Sequence, residues 1–308
     1  MAIATQSPRI ADVSKDPMRI RMWTACCTAW AAIYKFIVTK PLGAAGGAII
    51  LIMVFAAIFA DTLAPHDAYE LSYELQFGPP TLSHPFGTDE FGRDLFTRIL
   101  YGARIALFIG FASSFLGATG GAILGVVSAY LGGKTDLIVQ RIVDIILAFP
   151  LLILALAIVT VLGRSVPNLI IAIAIPVIPR TARIVRSSAL SAKENVYVEA
   201  ARAVGSSHLR VMFRHIIPNI MAPYLIVLTA QLGGSILTEA SLSFLGLGTA
   251  EPTPSWGLML SGGAPLYAEK APWVAIFPGI AISLSVFGFN LFGDSLRDAL
   301  DPRLRHRS

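Results

Sequence analysis

"EAARAVGSSHLRVMFRHIIPN", Glu199 to Asn219, is a charged stretch with helical character inside a chain that is 55% hydrophobic. It lies between two stretches that read as membrane. Just upstream, alanines, Leu190, Lys193, Glu194, Glu199 and Arg202 make Ser187 to Ala203 a good helix. Gly205 follows, a residue that takes a positive φ without steric cost and so can end that helix. Ser206 or Ser207 can cap a second helix through Leu209, Val211, Met212 and Phe213. Pro218 suits the first turn of the next apolar run. The segment is predicted to be a helix–glycine–helix elbow. Ala200, Ala201 and Gly205 would let another backbone approach closely, and Glu199 and Arg202 offer charge. Such a surface suits a docked partner. The same residues also suit an interfacial loop packed on its own bundle, and side-chain chemistry alone does not choose.

Around the elbow the chain reads as membrane. It has 308 residues and 14% charged residues, with a mean hydropathy of +0.69; a soluble domain carries about 25% charged residues. Uncharged runs cover Leu42 to Ala60, Ile105 to Gly133, Ile145 to Gly163, Ser165 to Pro179 (extended to about Arg186), His215 to Thr238 and Ala271 to Gly293. A helical span needs about 20 mostly apolar residues, and no barrel pattern is present, so the expected fold is an all-α membrane protein with six transmembrane helices. The first apolar run begins too far from Met1 for a signal peptide and is expected to stay as the first span.

Basic residues set the expected orientation. Residues 1–40 hold six Lys and Arg, the segment from Arg180 to Arg214 seven, and the tail from Arg297 four. The loop after the first span carries Asp67, Glu70, Glu74, Asp89, Glu90 and Asp94 instead. Both termini and the elbow are therefore expected in the cytosol. Arg93, Arg98 and Arg104 run against this rule and are expected to be packed or paired. The net charge of +5 is topology charge and gives no sign of nucleic-acid binding. Cys26 and Cys27 are adjacent, lack metal or redox spacing, and read as reduced structural thiols.

The expected divisions are a cytosolic tail over 1–40, a first span over 41–63, an extracytoplasmic loop over 64–99, a core over 100–296 that includes the elbow (187–217), and a tail over 297–308. In the first tail Ile20, Trp23, Cys27, Trp30, Tyr34 and Ile37 fall on one helical face, as in a helix lying along the membrane surface. The outer loop holds "HPFGTDEFGRDLF", His84 to Phe96, in which Gly87 and Gly92 with Thr88 and Asp89 read as turn and cap chemistry. His66 and His84 read as surface residues, and no metal site is expected. "SAYLGGKT", Ser128 to Thr135, ends like a phosphate-binding loop, but Ser128 stands where the pattern needs glycine and no buried strand precedes it. It reads as a tight turn anchored by Lys134, and any ATP is expected on a partner.

The elbow resembles a known pattern. "EAARAVG" followed by "HIIPN" is similar to the EAA loop of permease subunits in bacterial ABC importers, with Glu199, Ala200, Ala201, Gly205 and Pro218 in register. His215 and Ile217 depart from its I-x-L-P ending. "FGTDEFGRD" (Phe86–Asp94), "EASLSFLGLG" (Glu239–Gly248), "PSWGLML" (Pro254–Leu260) and "GDSLRDALDPR" (Gly293–Arg303) resemble the peptide/nickel branch, dipeptide/oligopeptide permease C subunits included. The resemblance covers residues 40 to 303. It implies a type I importer membrane domain in the bacterial cytoplasmic membrane, without enzymatic activity of its own. The implied partners are a homologous second permease, two ATPase subunits that hold ATP and Mg, an extracytoplasmic solute-binding protein and membrane lipid. It further implies that Glu199, Ala200, Ala201, Arg202, Gly205 and Pro218 couple the chain to the ATPase. The implied cargo is peptide; nickel, glutathione or an antimicrobial peptide would use the same machine. An ion-coupled carrier would need ionisable relays inside spans, and few are present.

Glu239, near the outer end of the fifth span, reads either as a pore or outer-gate group or as a structural partner of an outer-loop arginine. The glycines of "GFASSFLGATGGAILG" (Gly110–Gly125) read as helix-packing contacts. Arg141 and Asp144 are expected to anchor the inner end of the third span.

Overall fold

The computed structural model describes residues 36–267 and 269–300. The amphipathic stripe from Ile20 to Tyr34, both cysteines and the tail beyond Leu300 lie outside the described residues. Among these residues the chain is helical, with one isolated bridge between Thr88 and Asp94 in place of any sheet. Besides a short turn of helix at Ala60–Leu63, the helices are α1 (Pro41–Ile58), α2 (Leu95–Leu131), α3 (Gly133–Leu147), α4 (Leu151–Leu162), α5 (Val166–Lys193), α6 (Val196–Ala203), α7 (His208–Val211), α8 (Ile217–Phe244), α9 (Trp256–Tyr267) and α10 (Trp273–Leu300). Five helical stretches are long and apolar enough to cross a membrane, the fourth running unbroken from His208 to Phe244. The pair α3 and α4 makes a sixth only as a broken span, bent by 91°.

That break corrects the third predicted span. Pro150 has no amide hydrogen to extend α3 and is the N-cap of α4. Ile145 to Leu147 therefore belong to α3. The 12 residues of α4 cover about 18 Å, against a hydrocarbon core of about 30 Å. α3 carries Lys134, Asp136, Gln140, Arg141 and Asp144 and leaves Leu137, Ile138, Ile142 and Ile145 exposed. Asp144 holds Arg183 of α5 at 2.6 Å.

The bundle is organised by α2 packed along α5. A Cβ built at Gly117 would meet Val177, one at Gly121 would meet the Ile178 carbonyl at 2.4 Å, and one at Gly125 would meet the Ala182 carbonyl at 2.6 Å. The ascending order means that the two helices run in the same direction. Glycines four apart let two backbones touch where no side chain fits, so the glycines do act as packing contacts. α8 packs antiparallel on α2, with Ser114 Oγ donating to Ser235 Oγ at 2.8 Å and Thr119 beside Tyr224 at 2.9 Å. α1 rests on α10 through Gly46 and Gly288.

Two ends result. At the loop end Asp94 caps α2, its carboxylate accepting from Thr97 N–H at 2.8 Å. Asp89, one of the residues predicted for turn and cap chemistry, accepts from the Phe91 and Arg93 amides and pairs with Arg93 Nε at 2.7 Å. Burial and the neighbouring Asp89 raise the Glu90 carboxyl above its ordinary range. All three arginines that run against the charge rule are engaged. Arg93 also reaches Glu251 at 2.9 Å. Arg98, 1% exposed, donates to the Ala68 carbonyl at 3.0 Å. Arg104 holds Asp61 at 3.2 Å and the Ala57 carbonyl at 3.0 Å. Trp256, which opens α9, donates to the Ile99 carbonyl at 3.0 Å.

Candidate functional site

The elbow sits at the opposite end. Its first helix is shorter than the sequence suggests. α5 stops at Lys193, and Asn195 leaves the helical region with ψ 142° while its side-chain amide donates to the Ser191 and Ala192 carbonyls. Asparagine favours such caps because its side chain competes with the helical backbone bonds. α6 then runs eight residues and ends in a two-bond glycine cap. Gly205, at φ +81°, donates its N–H to the Arg202 carbonyl at 2.9 Å, and Ser206 donates to the Ala201 carbonyl at 3.1 Å. Ser207 caps the second helix by accepting from Arg210 N–H at 3.4 Å. That helix does not stop before the next span. It passes through a π-helical turn, Met212–Ile216, into α8. Pro218 lacks an N–H and crowds the Arg214 carbonyl, and the wider turn relieves that conflict.

One face of the elbow belongs to the bundle. Val198, Ala201, Val211, Met212 and Ile216 pack with Val126, Ala129, Val185 and Ala189. Ala201 is thus turned inward, onto the bundle, whereas Glu199, Ala200, Arg202, Gly205 and Pro218 are exposed. Val204 is 82% exposed, Leu209 64% and Phe213 67%. Three large apolar side chains left in the open around a polar elbow cost free energy until something covers them. His215 is partly buried, its ring 6.2 Å from that of Tyr197.

Tyr130, the penultimate residue of α2, fastens the elbow. Its hydroxyl is 3.0 Å from His208 Nδ1, and the Arg202 guanidinium lies over its ring at 4.9 Å. Lys193 donates to the Ala129 and Tyr130 carbonyls at 3.1 and 2.8 Å. Contacts from both sides of Gly205 therefore meet on one aromatic ring. Lys134 is exposed and does not anchor the adjoining Gly-Lys-Thr turn. Lys193 does so, with Asp136 accepting from Ser128 Oγ and from Arg186 Nε, the latter at 2.6 Å. Sequence reasoning missed Tyr130 and Lys193. Neither belongs to a spacing pattern, and only the parallel run of α2 and α5 brings their ends together.

Glu239 is 1% exposed and, among the described residues, has no arginine partner. Its carboxylate accepts from Ser243 Oγ at 2.7 Å and Ser255 Oγ at 3.0 Å, which ties α8 to the start of α9. Arg93 and Arg98 are taken up by Asp89, Glu251 and loop carbonyls, so neither reaches it.

Five long apolar helices, with α3 and α4 as a broken sixth and a capped polar elbow at one end, define a multi-pass membrane protein. Residues 121–306 match the family described as binding-protein-dependent transport system inner membrane component, and residues 28–80 match the N-terminal TM domain of oligopeptide transport permease C. The chain belongs to that family of permease subunits. A putative peptide transport system permease protein of Brucella suis is 46% identical over 260 residues, covering 84% of this chain and 87% of that one. The dipeptide transport system permease protein DppC of Alkalihalophilus pseudofirmus is 43% identical over 276 residues, 90% of each chain. The glutathione transport system permease protein GsiD of Escherichia coli is 42% identical over 279 residues, 90% of this chain and 92% of that one.

Proposed function

We propose that this chain is one of two homologous permease subunits of an ATP-binding cassette importer for di- or oligopeptides, and that the elbow couples it to an ATPase. The observation that carries the coupling role is that the elbow leaves Val204, Leu209 and Phe213 exposed together with Glu199 and Ala200. A cleft on an ATPase subunit would cover that face, and Glu199 would meet a basic group there. ATP and Mg bind the two partner ATPases, this chain contributes no catalytic residue, and a solute-binding protein delivers cargo from the opposite side. Tyr130 passes movement of the elbow to α2, because it holds Arg202 and His208 on either side of the Gly205 turn. The peptide cargo is supported by relatives named for peptide and dipeptide transport, and the GsiD relative makes glutathione the second choice.

The cytosolic orientation proposed for the elbow and both termini is supported by the basic residues of 1–40, of Arg180 to Arg214 and of the tail from Arg297. Thr81 and Ser207 are both exposed. In intact cells a cysteine at Thr81 should react with a membrane-impermeant thiol reagent and one at Ser207 should not. The opposite pattern overturns the orientation.

The purified chain alone should hydrolyse no ATP, and adding its ATPase partners in a lipid bilayer should restore hydrolysis that the loaded binding protein stimulates. Phosphate release is the measurement. Hydrolysis by the isolated chain, unaffected by Lys134→Ala, would place catalysis within it and refute the division of labour.

A further inference from the structure

We propose that His66 and His84, in the loop between α1 and α2, form the core of a divalent-metal site of the zinc type. The two residues stand 18 positions apart, and their spacing suggested no site. The fold brings them into contact, with ring centroids 4.5 Å apart and planes inclined by 23°. One ring nitrogen of each and a carboxylate oxygen of Asp94 all lie within 4.8 Å of one another. Asp67 and Glu70 line the same cavity, which holds ≈ 140 Å³.

The hydrogen bonds around the rings point to a metal more directly than proximity does. His66 Nε2 is 2.9 Å from the Ser83 carbonyl, which can only accept, so the proton sits on Nε2 and Nδ1 keeps a lone pair. His84 Nδ1 is 3.0 Å from Asp94 Oδ1, so the carboxylate holds the proton on Nδ1 and leaves the Nε2 lone pair. One histidine donating to a backbone carbonyl and the other to a carboxylate is the outer arrangement that orients metal-bound imidazoles. Asp94 is itself held, since its second oxygen accepts the Thr97 amide. Zinc bonds imidazole nitrogen at about 2.0–2.1 Å, which sets tetrahedral ligands about 3.3 Å apart. Two imidazoles with carboxylates nearby select zinc or a similar borderline cation over magnesium or calcium. A bound ion would clip the loop just after α1 to the capped start of α2.

The test uses the full-length permease in lipid nanodiscs, purified without a histidine tag and stripped with chelator. Zn²⁺ is titrated against a chromophoric chelator, and the zinc absorption edge is recorded on the loaded protein. One Zn²⁺ per chain with two imidazole ligands is expected. His66→Gln, which keeps an N–H for the Ser83 carbonyl, and His84→Gln should each weaken binding at least tenfold. Asp94→Asn, which keeps the helix cap, should weaken it about 10- to 100-fold. No stoichiometric binding by the wild type overturns the proposal, as does a sulfur or all-oxygen coordination shell. Equal binding by the double glutamine variant does the same. If a variant fails to fold, the ligand count at the zinc edge decides alone.

Discussion

Gly205→Val is expected to separate ATP hydrolysis from import. Gly205 takes φ +81° and forms the two-bond cap between α6 and the second elbow helix. A β-branched residue in the left-handed region costs about 1–2 kcal/mol, which corresponds to a roughly 5- to 30-fold loss in the population of the native turn. Nothing within 4 Å would touch a Cβ at this position, so the effect within the chain is conformational. In the assembly proposed above, the side chain would also meet the ATPase. The variant should insert normally, while ATPase subunits co-purify poorly or hydrolyse ATP without uptake of labelled peptide. Gly205→Asn serves as the control, because asparagine enters the left-handed region more readily than other non-glycine residues, and it should keep most of the uptake. Glu199→Lys should weaken docking with little effect on the fold, since Glu199 is exposed. Wild-type binding and uptake by Gly205→Val would refute the coupling role of the elbow.

The second large effect is expected at Gly121. A Cβ there would lie 2.4 Å from the Ile178 carbonyl and 2.6 Å from the Thr181 Cβ, at the closest approach of α2 to α5. Backbone cannot move aside as a flexible side chain can, so Gly121→Ala forces the two helices apart. Overpacking of this kind costs about 1–3 kcal/mol, set against the helix propensity of about 0.8–1.0 kcal/mol that alanine gains at either position. Gly120 is the internal control. A Cβ there would make ordinary contacts of 3.5 Å with Ile178, and alanine gains about 0.8–1.0 kcal/mol of helix propensity over glycine. The adjacent substitutions should therefore move thermal stability in detergent in opposite directions. Equal shifts would show that α2 and α5 do not meet in this way.

Much of this architecture is legible in the residues themselves. Long uncharged runs define membrane helices because an unpaired backbone group in lipid is too costly for any other span. Gly205 followed by Ser207 marks a turn because cap chemistry is local, needing only a few consecutive residues. The glycines from Gly110 to Gly125 announce a close helix contact, although they do not name the helix they touch. Arg98 shows the limit. Its charge argued only for burial or pairing, and its partners Ala68 and Asp89 come from the folded loop.

What only the tertiary structure decided involves residues far apart in the chain. α3 and α4 bend by 91° where a single span was expected, since an apolar run records composition and not direction. Glu239 meets two serines instead of an arginine, because Asp89 and Glu251 already occupy Arg93. Ala201 faces inward and Val204 outward because the docking of α6 on α2 and α5 selects which side of a short helix is covered. Tyr130 meets His208 across 78 positions of sequence. Helix formation, capping and membrane insertion draw mainly on neighbours along the chain, so the sequence by itself announces most of them, although not the breaks at Pro150 and Asn195. Which ring stacks on which cation, and which histidine meets which carboxylate, depends on how those helices pack, and that is set by the sum of many distant contacts.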